Sequence, residues 1–578
     1  MLAPQTNSHR LAISLDGLWK FRVQAAGDDA SAWPQGFSTD RVVAVPASFN
    51  EQFTDYDTFN HMGKVWYERS FEVPAALADH DLWLHFAAVN YRADVYLNGQ
   101  FLGSHETGYT PFAFPVNSYL VEGENLLVVC VDCALSPTTV PQGGFDKAAI
   151  PGLSSPFKPS VNFDFFPYSG IHRSVSLLAL PRTRLESLFI DTAIDGSDGV
   201  VHVRGTLTAP VARVGLGIAE LSDESDMSDL SDGSFTATLR IPDARLWDIG
   251  KPHLYTLDVT ISNNGSITDS YRQTFGIRTV ALDGDQLLLN GRPVYLTGFG
   301  KHEDFAVLGR AQPDAVNVRD LELLKWTGAN SFRTAHYPCA SGMLDLADRL
   351  GILVISESPA VSMIPAHATE ETLELHCQAI REQMRRDYNH PSVVLWCVSN
   401  EAHTHTPEAV PYFEKVFATA RAEDTTRPLL LVTCYWPNEK CHHLCDIVGV
   451  NSYPGWYGGG DKLANTAAWF SGFLDDVRIR TGKPIMITEI GADAMAGLHS
   501  LPSSLWTEDY QTELLETNLN VIREKDYIIG EHLWALCDFH TAQNHFRAHG
   551  NRKGLFTRDR QPKAAAHLLR KRWLGTQE

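Results

Sequence analysis

After Gly276 short apolar runs alternate with amphipathic stretches at regular spacing, and that repeat restricts the second half of the chain to very few folds. Runs at 294–297, 331–334, 353–355, 393–398, 429–433, 447–450, 484–488 and 529–536 read as short strands of a parallel sheet, and 393–398 is an almost unbroken apolar run that suits burial on both faces. Between the third and fourth, Leu373, Cys377, Ile380 and Met384 fall on one helical face with charges opposite. Eight βα units in roughly 300 residues predict a (β/α)8 TIM barrel.

Two of these strands end in a carboxylate. His390-Pro391 closes a helix, because the residue before proline is pushed out of the α region, and the run at 393–398 then delivers Ser399-Asn400-Glu401. The run at 485–488 leads straight into Glu489, followed by Ile490-Gly491. In a barrel these are strands four and seven, so both glutamates reach the carboxyl-end rim where barrels carry their chemistry. Paired carboxylates there suit glycosidic bond cleavage, one protonating the leaving oxygen while the other attacks or activates water.

The first half is all-β. Segments 17–23, 65–73, 82–86 and 93–97 alternate apolar with polar residues, separated by turn signals such as Asn98-Gly99 and Glu122-Gly123. A second all-β block, with strands at 200–207, 235–240 and 255–261, has the size of an immunoglobulin-like sandwich. The expected organisation is multidomain: an N-terminal β jelly-roll over 1–181, an immunoglobulin-like β-sandwich over 182–277 and the C-terminal TIM barrel over 278–578.

A chain of 578 residues is too long for one core, and its net charge of −21 argues against nucleic acid or an anionic membrane as partner. No apolar run is long enough to span a bilayer. Residues 1–10 lack the basic-then-apolar pattern of a secretory signal, and nine scattered cysteines suit the reduced thiols of a cytoplasmic protein. Cys441-His442-His443-Leu444-Cys445 lacks a second ligand pair at zinc-site spacing, so no metal and no cofactor is expected. The acidic run at 222–233 reads as a solvated loop.

Ser399-Asn400-Glu401, Thr488-Glu489-Ile490-Gly491 and the order jelly-roll, immunoglobulin, barrel resemble glycoside hydrolase family 2. Segments 489–499 and 550–559 look more narrowly like its β-glucuronidases, as do Val65-Trp66-Tyr67, Gly108-Tyr109-Thr110-Pro111-Phe112, Gly170-Ile171-His172-Arg173-Ser174 and Arg333-Thr334-Ala335-His336-Tyr337-Pro338. The resemblance implies a retaining exo-hydrolase with Glu489 as nucleophile, Glu401 as general acid/base, Tyr453 donating to the nucleophile and Asn400 bonding the sugar 2-hydroxyl. It further implies that Asn551 and Lys553 hold the C6 carboxylate of a glucuronide, aided by Arg547 and Tyr457. By the same likeness Asp164 reaches in from the jelly-roll to a ring hydroxyl, His336 binds hydroxyls nearby and Trp534 gives the ring an apolar platform.

The implied partners are β-glucuronide small molecules or oligosaccharides, and the implied assembly is a homo-oligomer, dimer or tetramer. Competing readings are a β-galacturonidase, a neutral-sugar β-galactosidase or β-mannosidase, and a catalytically silent glycan-binding protein. One departure stands out: only 360–368 separate Pro359 from the helix at Thr369, too short for the long lid some members carry, so an open aglycone side is expected. The chain stops soon after the barrel, and no appended carbohydrate-binding module is expected.

Overall fold

Alternation in the first half folds as the pattern dictates. In the computed structural model, which describes residues 2–144, 159, 161–211, 213–221, 224–226, 230–231, 233–263, 265–458, 462–544 and 546–575, strands Arg92–Leu97 and Gln100–His105 form a hairpin. Its two-residue turn has φ of 51° at Asn98 and 78° at Gly99, the left-handed pair that Asn-Gly tolerates best. This hairpin edges a six-stranded antiparallel sheet running Val42–Val45, Gly17–Val23, Lys64–Glu72, Glu124–Asp132, then the hairpin. A four-stranded sheet (Leu11–Ser14, Val175–Leu180, Asp81–Phe86, Phe112–Pro115) faces it, and Phe21, Tyr67, Leu84, Phe86, Val129 and Leu177 fill the space between. That is the jelly-roll sandwich.

Two four-stranded sheets follow. Leu185–Asp195, Asp198–Leu207 and Ser234–Ile241 make one, and Arg213–Ile218, Tyr255–Asn263 and Ser266–Phe275 the other, around Val201, Val203, Leu216, Leu257 and Val259. The acidic run is not all loop: Glu224–Asp226 and Leu230–Ser231 are short edge strands, one on each sheet. Short, charged strands are a common way to end a sheet without inviting another chain to pair. The rest of that run lies outside the described residues.

The barrel closes through β1 (Leu296–Lys301), β2 (Ser331–Thr334), β3 (Leu353–Glu357), β4 (Val393–Asn400), β5 (Leu429–Thr433), β6 (Ile447–Asn451), β7 (Ile485–Glu489) and β8 (Ile528–Leu533). All neighbours are parallel, and β1 pairs with β8 through Leu296 and Gly530. Several sequence boundaries shift; β3 runs on to Glu357 and β4 to Asn400. Val294 belongs to Arg292–Val294 of a separate antiparallel sheet, because Asn290 and Gly291 turn the chain back on Gln286–Leu289. Residues 534–536 leave the β8 ladder, with Trp534 N–H bonding to Ile490 and Leu536 N–H to Gly300. The small sheet covers the amino-terminal end of the barrel, where Leu287 and Leu289 pack with Leu296, Leu353, Leu395 and Met486. Only the carboxyl-terminal mouth is left for chemistry.

The eight expected helices are seven. Helices follow every strand except β5, and 434–446 connect β5 to β6 through turns. Pro437 and the lack of an apolar period explain the gap. After β3 the chain reaches helix Glu370–Asp387 through 358–369, with Thr369 as N-cap. On that helix Cys377, Ile380 and Met384 are buried as the period requires. No helix among the described residues is long and apolar enough to cross a membrane.

The jelly-roll docks on the mouth by specific contacts. Arg173 bonds Glu303 at 3.1 Å and the Pro338 carbonyl at 2.7 Å, and the rings of Tyr109 and Tyr337 stack at 4.7 Å. Gln142 accepts from Ile364 N–H and Asn162 donates to the Ser362 carbonyl, so jelly-roll residues also rest on the loop after β3.

Candidate active site

Each glutamate is placed by the end of its strand. Glu489 is the last residue of β7 and is only 3% exposed. Glu401 follows β4 directly, in a left-handed conformation (φ 48°) pinned by its N–H on the Val432 carbonyl. A non-glycine residue in that region is uncommon and is held only where neighbours over-determine it. Here it turns the side chain back over the mouth toward Glu489.

The environments of the two differ. Glu489 Oε1 accepts from Arg333 Nη2 at 2.5 Å and Oε2 from the Tyr453 hydroxyl at 2.5 Å, contacts that stabilise its negative charge. Glu401 accepts from Asn451 Nδ2 at Oε1, 2.8 Å away. Burial, and then the charge of Glu489, push the Glu401 carboxyl up from 4.5 to about 7. Glu401 is thereby able to hold a proton near neutral pH, while Glu489 sits among fixed donors.

Beneath them runs a buried ionic chain. Arg333, fully buried, donates to Glu357 and to Glu489, while His336 Nδ1 lies 2.7 Å from the other Glu357 oxygen. Burial alone would raise the Glu357 carboxyl, but the Arg333 charge overrides it and holds the group ionised. The His336 ring stacks on Trp534 (4.9 Å, 22°), and its Nε2 is 3.7 Å from Glu489. Asn451 Nδ2 also bonds Asn400 Oδ1 at 3.1 Å, and Thr488 Oγ1 fixes Asn451 from the other side.

The expected carboxylate-binding residues assemble beside this centre. Lys553 is fully buried, with Nζ 2.5 Å from Asp493 and 2.9 Å from the Tyr457 hydroxyl. Arg547 holds Asp164 through Nε and Nη2 (2.6 Å at the shortest) and bonds the same Tyr457 hydroxyl at 2.7 Å. Asn551 Nδ2 reaches Asp164 Oδ2 at 2.8 Å, and its Oδ1 accepts from Lys553 N–H. Tyr453 joins the two halves, its hydroxyl on Glu489 and its ring 5.5 Å from Lys553 Nζ.

All eleven residues singled out from sequence therefore converge on one mouth. One arrangement differs from expectation: the Asp164 carboxylate is engaged by Arg547 and Asn551, the side chains expected to receive the sugar acid. Asp164 reaches in from the jelly-roll as anticipated, but it stands where a carboxylate ligand would compete with it. Four participants were not singled out: Arg333, Glu357, Asn451 and Asp493. Arg333 sits in the fully buried strand Ser331-Phe332-Arg333-Thr334, and a charge there requires buried partners. Glu357 ends β3 as Glu401 and Glu489 end their strands, a signal hidden by placing the end of that strand at 355.

The likeness to known proteins covers the whole chain. The model of glycosyl hydrolases family 2, TIM barrel domain, matches 280–577, the family's sugar binding domain 12–181, and a further family 2 model 183–278. The chain belongs to glycoside hydrolase family 2. It is thus a glycoside hydrolase whose barrel, sandwich and jelly-roll are those of the family. A β-glucuronidase of Paenibacillus borealis is 39% identical, over 99% of this chain and 98% of its own. The human β-glucuronidase is 33% identical over 99% of this chain and 92% of its own. Among solved structures, a Ruminococcus gnavus β-glucuronidase in complex with D-glucuronic acid superposes with a TM-score of 0.93 at 38% identity, covering 99% of both chains. The same organism's enzyme with D-glucaro-δ-lactam gives 0.92 at 38% identity and 99% coverage of both.

Proposed function

We propose that this family 2 hydrolase is a retaining, exo-acting β-D-glucuronidase. The observation that carries the reading is Lys553: a fully buried ammonium beside Asn551, Arg547 and Tyr457, one tyrosine ring away from the glutamate pair. A glucoside or galactoside has nothing for that cation to bind. Lysine has three donors, and Asp493 and Tyr457 use two of them. A C6 carboxylate can take the third, and the Arg547–Asp164 pair can open to supply more. The same wall closes the pocket behind the sugar, which suits a terminal residue.

In this reading Glu489 attacks the anomeric carbon, its charge spread over Arg333 and Tyr453. Glu401, protonated, gives its proton to the departing oxygen; a covalent glycosyl-enzyme forms and the aglycone leaves. Once Glu489 is esterified its charge no longer opposes ionisation of Glu401, which then takes a proton from water as water attacks the same carbon from the vacated side. Asn400, fixed by Asn451, bonds the 2-hydroxyl. His336 and Asp164 face ring hydroxyls, and Trp534 backs the ring. The short passage 358–369 after β3 supports an open aglycone side. The three units meeting near 181/182 and 277/278, a homo-oligomeric assembly and a cytoplasmic setting with nine free thiols complete the proposal.

Equal concentrations of nitrophenyl β-glucuronide, β-galacturonide, β-galactoside and β-mannoside test it. Preference for the glucuronide with the β-anomer released first, read by NMR, is expected. Preference for a neutral sugar, or release of the α-anomer, overturns the reading.

A further inference from the structure

The missing helix after β5 leaves a groove of about 620 Å³ between 434–437 and the helix Leu463–Thr481. It starts beside the acid/base residue: Asn451, which bonds Glu401, and the exposed Cys434 both line it. It then passes Trp436 and runs along one face of the helix over Trp469, Gly472 and Phe473 to Asp476.

Two features of that helix face have no structural purpose among the described residues. Trp469 is 57% exposed, and its ring lies at 13° to that of Phe473 with centroids 5.2 Å apart, a flat indole presented outward on an aromatic backing. Gly472 sits mid-helix, where glycine is the poorest residue after proline, yet a Cβ there would meet nothing within 4 Å. No neighbour needs that space, and a side chain would fill the groove floor beside the indole. Asp476 and Ser452 give the groove acceptors and a hydroxyl.

We infer that this groove is the aglycone subsite and that Trp469 stacks a neutral sugar ring of a glucuronide-capped oligosaccharide. The inference rests on the glucuronidase reading and adds the class of leaving group. Continuity with Glu401 fixes the occupant as the part of the substrate beyond the scissile bond. An exposed indole with polar groups at its border matches a pyranose, which offers C–H faces and an equatorial rim of hydroxyls. The net charge of −21 disfavours an anionic chain. Pockets of about 300–1,000 Å³ hold ligands larger than one ring, so the groove has room for more than a single sugar.

The test compares kcat/KM on nitrophenyl β-glucuronide with that on a β-glucuronyl-capped neutral trisaccharide, for the full chain and for Trp469→Ala and Gly472→Leu. Trp469 is exposed and leucine favours the helix, so both variants fold. Each variant is expected to lose roughly tenfold, about 1.4 kcal/mol, on the trisaccharide and stay within about twofold on the nitrophenyl substrate. Equal losses on both substrates, no loss on either, or a change in oligomeric state with unchanged saccharide kinetics overturns the groove assignment. A parent chain inactive on both glucuronides overturns the glucuronidase reading and this one with it. A parent active on both whose trisaccharide kinetics ignore the two substitutions removes only the groove.

Discussion

Asn451 Nδ2 lies 2.8 Å from Glu401 Oε1 and donates to the carboxyl raised to about 7. The donor favours the ionised form, against burial and the charge of Glu489, which favour the neutral one. Activity that needs Glu401 protonated is therefore full below that value and falls as pH rises through about 7. Asn451→Ala removes the donor, so the alkaline limb of kcat/KM should move to higher pH, as a pH–rate profile will show. An unmoved limb would assign it to another group. The stability sign follows. A carboxyl whose folded pKa lies above its ordinary 4.5 loses stability as pH rises from there to about 7. Glu401→Gln should accordingly gain in Tm relative to the parent at pH 8 and gain little at pH 4.5.

Arg333 bridges two carboxylates in the barrel floor, with side chains of all three nearly inaccessible. Removing the cation leaves Glu357 and Glu489 buried without a counter-charge, a loss on the order of 3–5 kcal/mol. Arg333→Ala should lower Tm by several degrees and abolish turnover. Glu357→Gln, which keeps shape and one acceptor, should fold better than Arg333→Ala yet lose rate because His336 and Arg333 are no longer held. Thermal denaturation with single-turnover rates separates the two effects; equal Tm losses would count against the bridge.

Gly300 and Trp534 approach so closely that a Cβ on the glycine would lie 2.5 Å from the indole. Gly300→Ala must push Trp534 off His336, on which it stacks, and so disturb the platform proposed for the sugar without touching a polar group. A rise in KM for nitrophenyl glucuronide of about tenfold, with Tm lowered by overpacking of roughly 1–3 kcal/mol, is the expected pair of readings. An unchanged KM would mean the ring does not pack on Trp534.

What the sequence discloses here follows from what each signal encodes. Strand periodicity and terminal carboxylates expose Glu401 and Glu489, because a buried strand ending in a charge is a local pattern. Asn98-Gly99 exposes a hairpin for the same reason. The strand containing Val294 was placed too early, since three apolar residues do not say which sheet they join, and the Asn290-Gly291 turn decided it. The absent helix after β5 escaped notice because strands alone suggested a complete repeat. Arg333, Asn451 and Asp493 stay hidden because the carboxylate and ammonium groups that hold them, Glu357, Glu401 and Lys553, lie 24 to 60 residues away in other elements. The Arg547–Asp164 contact spans 383 residues and two units of the fold, so no local pattern contains it.

Lys553 and Asp493 form a buried pair with no exposed side-chain surface, and this decides how the lysine must be tested. Lys553→Ala alone strands the Asp493 carboxylate in a dry site, so a fall in activity would mix lost recognition with lost stability. The double variant Lys553→Ala/Asp493→Ala removes both charges, gives up the Arg552 N–H bond to Asp493 and keeps the backbone bonds of Asn551 with Phe539 and of Lys553 with Ala535. It should retain Tm within a few degrees and lose glucuronide kcat/KM by about 100-fold or more, a cost of ~3 kcal/mol for a buried charged contact. Residual hydrolysis of nitrophenyl β-galactoside, which has no carboxylate to lose, should change less than the glucuronide rate. Parallel losses on acid and neutral sugars would show that the lysine serves the fold and not the choice of substrate.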